Sequence, residues 1–477
     1  MTITLSADNP ALRLAQHAAN TRFENLSDAA VAATATFLVD TLGVAAAGSR
    51  GAGLAALAEM VAGWGAPHPS RGARVWVGGT RLPAGSAALL NAYQIHCMEF
   101  DCVLEEAVVH PMATILSAVL AHSEERRAAG DPVNGKDLVA ALNVGVDTAA
   151  MLGRAGTGPI RFFRPATCGG FGAAAALANL CRLDEEGVLN ALGAQYGQTS
   201  GTLQPHAEGS PLLGLQVGFN ARAALCALDL ARAGIRGPHD VVNGPYGYLR
   251  LMEDDEFSLT PFDDLGTVPQ MTRMSHKPHP SGRLTHGVVH ALRIAHDERG
   301  IAAEDIERMC ARVPPLVYRL VGRPNLEAPE PNYAKLCLRF VAGAMMANGK
   351  VDLETFASPT TLRDEATHRY AALVDVELDD NPDPNALDPQ HFTLTLKNGR
   401  VEEIDLPCMF GHPEAPLSQE DNEDKFRRCM AASAVPFTDE AIEGVLALAN
   451  DPAAITDAAV LVDALTPGRE NLSGQIR

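Results

Sequence analysis

The chain has 477 residues, 47% of them hydrophobic but only 5% aromatic, and a formal charge of −20. That length and apolar content support a large buried core in two or three domains. The negative balance excludes a nucleic-acid-binding surface, which needs a basic face, but it leaves room for a small anion held by a local gathering of Arg, Lys, His and backbone N–H groups.

Nine cysteines, an odd number without any C-x-x-C, read as reduced thiols of a cytoplasmic protein. The start, MTITLSADNPALRLAQ, lacks the basic-then-apolar pattern of a signal peptide. No uninterrupted apolar stretch reaches the ~18 residues of a membrane span. The run 29–47 comes closest, broken by Thr34, Thr36, Asp40 and Thr41, so no membrane partner is expected.

In chain order, Ser27 is an expected N-cap before Asp28, with Leu26 and Val31 as a hydrophobic staple. The helix that follows carries Phe37, Leu38, Leu42 and Val44. Ala73–Gly78 reads as a short strand, and Pro83 opens a helix ending near His96. Further helices are expected after Pro111, after Cys168, and over 186–200 and 215–234. Their small residues, as in GGFGAAAALANL (169–180), predict closely packed helices. The segment 251–275 reads as a crossover. Arg308–Val313 and Ala371–Leu378 are strand-like, and His391–Leu396, Asn398-Gly399, Val401–Leu406 is a hairpin. Helices return over 423–433, 439–450 and 456–464. The fold class is therefore mainly α, a large all-helical domain (1–267 with 406–477) with an inserted α+β domain (268–405). No internal repeat, G-x-S-x-G or P-loop occurs.

Three segments gather chemistry. Between His96 and His110 lie Glu99, Asp101, Glu105 and Glu106. His110 precedes Pro111, which suits a first helical position, so His110 is expected at a helix N-terminus, where an anion is favoured and an α-proton is within reach. Arg164-Pro165 precedes the Gly-rich helix start and offers a bidentate carboxylate partner. It is not a Rossmann fingerprint, because no βαβ unit surrounds it. In HKPHPSGRLTH (276–286), Ser281 reads as an N-cap, with Arg283 in the first turn and Lys277 just before it. Cations at a helix start are unfavourable unless an anion lies between them, and His279 is grouped with them as a substrate contact. His276, His279, His286 and His290 are clustered, but without H-E-x-x-H or a Cys pair, so no metal is predicted. Cys102 and Cys168 read as small buried hydrophobes.

Taken in order, ARVWVGGTRLPAGSAALLNAYQIHCMEFD (73–101), the His110-Pro111 step, RPATCGGFGAAAA (164–176), LQVGFNARAA (215–224), HKPHPSGRLTH and GHPEAPLS (411–418) resemble the MmgE/PrpD family. That family includes 2-methylcitrate dehydratase, cis-aconitate decarboxylase and iminodisuccinate epimerase. The resemblance implies a helical domain built from both ends of the chain, an α+β lid between them, an active site at their junction, a homodimer and no organic cofactor. It also implies proton removal α to a carboxylate. By motif position Glu99, Asp101, His110 and Lys277 match the family's active-site segments. This chain departs from the family at Cys102-Val103, where Asp-Thr is usual, and at Arg164 for His. Leu213, Gly282 and Phe340 stand where the decarboxylases are expected to carry Lys, His and Tyr.

The resulting expectation is a cofactor-independent lyase, dehydratase-like, acting on a small di- or tricarboxylic acid. His110 is the base or proton shuttle, with Asp101 orienting it or His96. Arg164, Lys277 and Arg283 hold carboxylates. The alternatives are an epimerase of a dicarboxylate such as iminodisuccinate, with the proton returned, and a non-catalytic small-acid binding protein.

Overall fold

The computed structural model describes residues 5–68 and 71–466. Helix accounts for 56% of the chain and the sheets are small, so the mainly-α class holds. Ser27 caps the helix Asp28–Gly48, its Oγ accepting the Ala30 N–H at 3.2 Å. This helix packs on Gln419–Ala431, Ala84–His96 and Gly135–Ala155, and Ala84–His96, Pro111–Ala128, Gly135–Ala155, Arg164–Leu180 and Leu212–Arg232 pack on one another. All seventeen residues of Arg164–Leu180 are buried.

Small residues let these helices touch backbone to backbone. A Cβ added at Gly145 would fall 2.9 Å from the Gly172 carbonyl oxygen, and one at Gly172 would fall 2.5 Å from that of Gly145. A core poor in rings reaches native density through this close approach. Two helices, Asp28–Gly48 and Gly135–Ala155, are long and apolar enough to cross a membrane, one more than the apolar-run reading singled out. In the fold, 67% and 94% of their apolar windows are buried among other helices.

Strands β1 (Gly72–Arg74) and β2 (Arg81–Pro83) pair antiparallel. The strand expected over 73–78 is shorter because the chain turns at Val77, φ +65°. The second sheet has the order β4-β3-β5-β6, where β3 is Ile306–Val313, β4 Val374–Leu378, β5 Gln390–Leu396 and β6 Val401–Leu406. β3 runs parallel to β4 and antiparallel to β5, and β5–β6 is the expected hairpin, with Gly399 at φ +83°. Alternate residues of β5 (Gln390, Phe392, Leu394, Leu396) are buried, the period of a half-covered sheet. β4 begins later than expected because Asp364 caps a helix, Glu365–Ala371, ahead of it. Of the expected helix 456–464, only Val460–Ala464 is α-helical after a 3₁₀ turn at Pro452–Ala454.

The crossover runs through 3₁₀ turns at Thr260–Asp264 and Gln270–Arg273. It ends in a two-way bridge, Val103 N to Ser275 O at 3.0 Å and Ser275 N to Val103 O at 2.7 Å. The bridge seats segment 275–283 on segment 97–110.

Candidate active site

The helix Ala84–His96 stops at His96, and Glu99 then adopts φ +52°. A non-glycine residue in this region costs of order 1 kcal/mol or more. The turn places Glu99 and Asp101 back beside His96. Across the 103–275 bridge, Lys277 enters from the opposite segment. His110 stands as the N-cap of Pro111–Ala128 with Pro111 at the first helical position. The pre-proline geometry holds it out of the helix.

Five side chains converge. Asp101 lies 3.0 Å from His96 Nδ1 and 3.4 Å from His110 Nδ1. Lys277 Nζ donates to Glu99 Oε2 at 3.0 Å and lies 4.0 Å from Asp101 Oδ1. His96 Nε2 is 3.7 Å from Glu99 Oε1, and the two imidazole rings meet edge-on at 4.9 Å. Four of the side chains are almost wholly buried. His110, at 12% side-chain exposure, is the most open.

Hydrogen bonding assigns the protons. The neighbours of His110 Nδ1 are the Cys102 carbonyl oxygen at 3.0 Å and the Asp101 carboxylate, both acceptors. Nδ1 therefore carries the proton and Nε2 keeps a free lone pair. His96 Nδ1 likewise donates to Asp101, while its buried Nε2 has no hydrogen-bond partner. Burial opposes charge throughout, yet the outcomes differ. For Glu99, Lys277 and the two histidines outweigh burial and hold the carboxyl at about 2. Asp101 is held well below the usual carboxylate range by His96 and His110, again against burial. Burial and then Lys277 push His110 down, whereas Asp101 and Glu99 overcome burial and raise His96. Two neighbouring imidazoles are thus driven apart, His110 downward and His96 upward, which is how a site separates base from acid.

His96, Asp101 and His110 also offer three ligand atoms within 4.8 Å of one another, the geometry of a candidate metal set. The Lys277 ammonium beside Asp101 works against a second cation there, so the set reads as a proton-transfer network. Among the described residues, the four clustered histidines 276–290 form no such group.

Two further groups escaped the sequence reading. Lys335 is buried, and its Nζ donates to the Cys97 carbonyl oxygen at 3.0 Å, with the Met98 sulfur at 3.9 Å. Burial pulls this ammonium down, and it feels both Glu99 and Lys277. His206 accepts from Arg323 at 2.7 Å through Nδ1, which leaves Nε2–H as its donor. Burial and Arg323 push it down to about 3, with Glu99 opposing. A lysine inside the apolar run NYAKLCL was the available signal for the first. His206 left none.

The remaining candidates lie elsewhere. Arg164 was expected to grip a substrate carboxylate, but its fork is filled by Glu253, Nε to Oε1 at 3.0 Å and Nη2 to Oε2 at 2.6 Å, with the Gly156 carbonyl oxygen at 3.1 Å. Arg283 donates to Glu105 at 2.8 Å and to the carbonyl oxygens of Phe410 and Met409. It sits in a 3₁₀ turn capped by Gly282, while Ser281, the expected cap, bonds Thr285 instead. Both cations cross-link distant segments. His279 donates to or accepts from nothing in the cluster. Its Nδ1 faces the Val351 carbonyl oxygen at 3.3 Å, and it lines a separate groove of about 1020 Å³ with Arg293, Met345 and Lys425. That groove contains none of the five converging side chains, and the chemistry, not the volume, marks the site. Arg164→Met is accordingly expected to lower stability by ~3–5 kcal/mol, the cost of stranding a buried carboxylate, read as a shift of the urea midpoint. Arg164→Met/Glu253→Gln should recover part of that loss.

The MmgE/PrpD N-terminal domain matches residues 12–260, and the MmgE/PrpD C-terminal domain matches 279–449. The chain belongs to the MmgE/PrpD family. Mouse cis-aconitate decarboxylase is 28% identical over 73% of this chain and 72% of its own length. The human enzyme of that name is 27% identical over 81% and 80%. A cis-aconitate decarboxylase of Aspergillus terreus is 28% identical over 47% of this chain and 48% of its own length. Of the positions where this member departs from the expected family pattern, Phe340 is buried between Phe356 and His368, and a Cβ at Gly282 would strike Leu336 at 2.7 Å.

Proposed function

We propose that this MmgE/PrpD member is a cofactor-independent lyase that removes a proton α to a carboxylate of a small di- or tricarboxylic acid. The observation carrying this reading is His110: its Nδ1–H is pinned by two acceptors, so Nε2 is the base, and burial and then Lys277 push its pKa down. Lys277 supplies the positive charge that an enediolate-like transition state needs, with His96, whose pKa is raised, beside Glu99 and Asp101. Asp101 orients both rings. The decarboxylase relatives support a small-acid lyase. Leu213, Gly282 and Phe340 carry no Lys, His or Tyr chemistry, which favours loss of a β-substituent over loss of CO₂. The helical body (1–267 with 406–477) and the α+β unit (268–405) are the two parts whose separation would admit substrate.

The test is a panel of citrate, 2-methylcitrate, cis-aconitate, malate and iminodisuccinate, followed by proton NMR in D₂O and mass spectrometry. An alkene formed with loss of water supports the reading. Release of CO₂ would move it to decarboxylation, α-proton exchange without an alkene would move it to epimerisation, and absence of both turnover and exchange would sink it.

The pH profile checks the base. His110 must be neutral to act, and its pKa is lowered, so kcat/KM should be lost as pH falls through an inflection below about 6.5, the ordinary imidazole value. An inflection above that value would reassign the base to His96, whose pKa is raised.

A further inference from the structure

Away from the active site, most of the cysteines sit where the thiol stays protonated. Burial, for example, pushes both Cys168 and Cys429 up to about 12. Cys181 differs. It is partly exposed at the end of the helix Arg164–Leu180, and its Sγ lies 3.2 Å from His122 Nε2. His122 Nδ1 in turn lies 3.2 Å from Glu125 Oε2. A carboxylate only accepts, so Nδ1 is the donor and Nε2 faces the thiol as a proton acceptor. Nucleophile, base and orienting carboxylate stand in one chain of contacts, the signature of an activated nucleophile.

The surroundings are cationic. Arg126 and Arg232 both act on the sulfur. Arg126 is paired with Asp131 at 2.6 Å, while Arg232, on an exposed stretch of its helix, has no carboxylate partner among the described residues. Burial and the helix C-terminus both oppose a negative sulfur. The contacts with His122 and the arginines outweigh burial and pull the thiol down. His122 rises to about 9 against its own burial, because Cys181 and Glu125 favour the imidazolium.

We propose that Cys181 is a nucleophilic thiolate that adds to carboxylate-bearing carbon electrophiles, α,β-unsaturated acids above all, with His122 holding the proton and Arg232 drawing in the carboxylate. The Sγ lone pair forms a bond to the β-carbon and the C=C π pair moves to the α-carbon. That carbon then takes the proton from His122 Nε2. The thiol's hydrogen and sulfur are thereby added across the double bond, and no oxidant or further reactant enters.

The test alkylates the full chain with limiting iodoacetamide and reads each cysteine by peptide mass spectrometry. Cys181 should react roughly tenfold or more faster than the exposed Cys226, as a thiolate in an electropositive, accessible site does. His122→Asn should bring Cys181 down to the rate of Cys226 without altering Cys226. Should His122→Asn not fold, Glu125→Gln makes the same comparison at a more accessible position. Cys226 reacting first, or Cys181 unmoved in both variants, overturns the nucleophile. Anionic iodoacetate should react faster still with Cys181, and Arg232→Met should slow iodoacetate more than iodoacetamide, because Arg232 favours the thiolate for both reagents but attracts only the anion. Monomethyl fumarate should form its adduct at Cys181 first. Equal slowing of both reagents, or a fumarate adduct elsewhere first, overturns the carboxylate preference.

Discussion

His110→Asn should lower kcat by ~10²–10⁴-fold, the usual contribution of a positioned general base, with little loss of stability. The separation follows from the geometry. The His110 side chain makes no capping bond to the helix it precedes, and its shortest contact is the Nδ1–H donated to the Cys102 carbonyl oxygen, worth about 1 kcal/mol net. Asn retains a donor for that oxygen but has no basic nitrogen in place of Nε2. Steady-state kinetics on the substrate found by the panel, with a urea melt alongside, checks both halves. Full activity in the variant would remove His110 from the mechanism.

Lys277→Met should abolish turnover and also destabilise the fold by ~3–5 kcal/mol, because removing one partner of a buried pair strands the other. Glu99, at 3.0 Å from the ammonium, is the group left uncompensated, with Asp101 next to it. The double variant Lys277→Met/Glu99→Gln removes that stranded charge. It should recover most of the stability and none of the turnover. Recovery of turnover as well would show that Lys277 only balances Glu99 and touches no reacting group.

The same pair predicts an acid-stability signature. The Glu99 carboxyl is depressed to about 2 from its unfolded value of 4.5. Its contribution is therefore complete above pH 4.5 and is lost as pH falls towards 2. Glu99→Gln should flatten that part of the stability–pH curve measured by denaturant unfolding. An unchanged curve would show that other carboxylates carry the acid transition.

Local patterns explain what was legible beforehand. The Ser27 cap, the Pro111 helix start and the Asn398-Gly399 hairpin each depend on a few adjacent residues, and each stands in the structure. Small-residue runs foretold close helix packing, and Gly145 against Gly172 shows it. The His96–His110 segment could be marked as chemical because two histidines and four carboxylates lie within it. Cys181 went unmarked because His122 and Glu125 lie 59 and 56 positions away.

By itself the sequence determined the mainly-α class, the order of helices and hairpin, the family, and the convergence-prone segments around His96–His110 and Lys277. Tertiary structure alone decided which cations remain for chemistry. Arg164, Arg283 and Lys277 look alike in sequence, each near a proline and a helix start. Arg164 is filled by Glu253, 89 positions away, and Arg283 by Glu105, 178 positions away. Lys277 instead meets Glu99 beside His96, Asp101 and His110. Local propensity sets where a helix begins, but the charge that a buried cation finds is set by which distant segments pack against it.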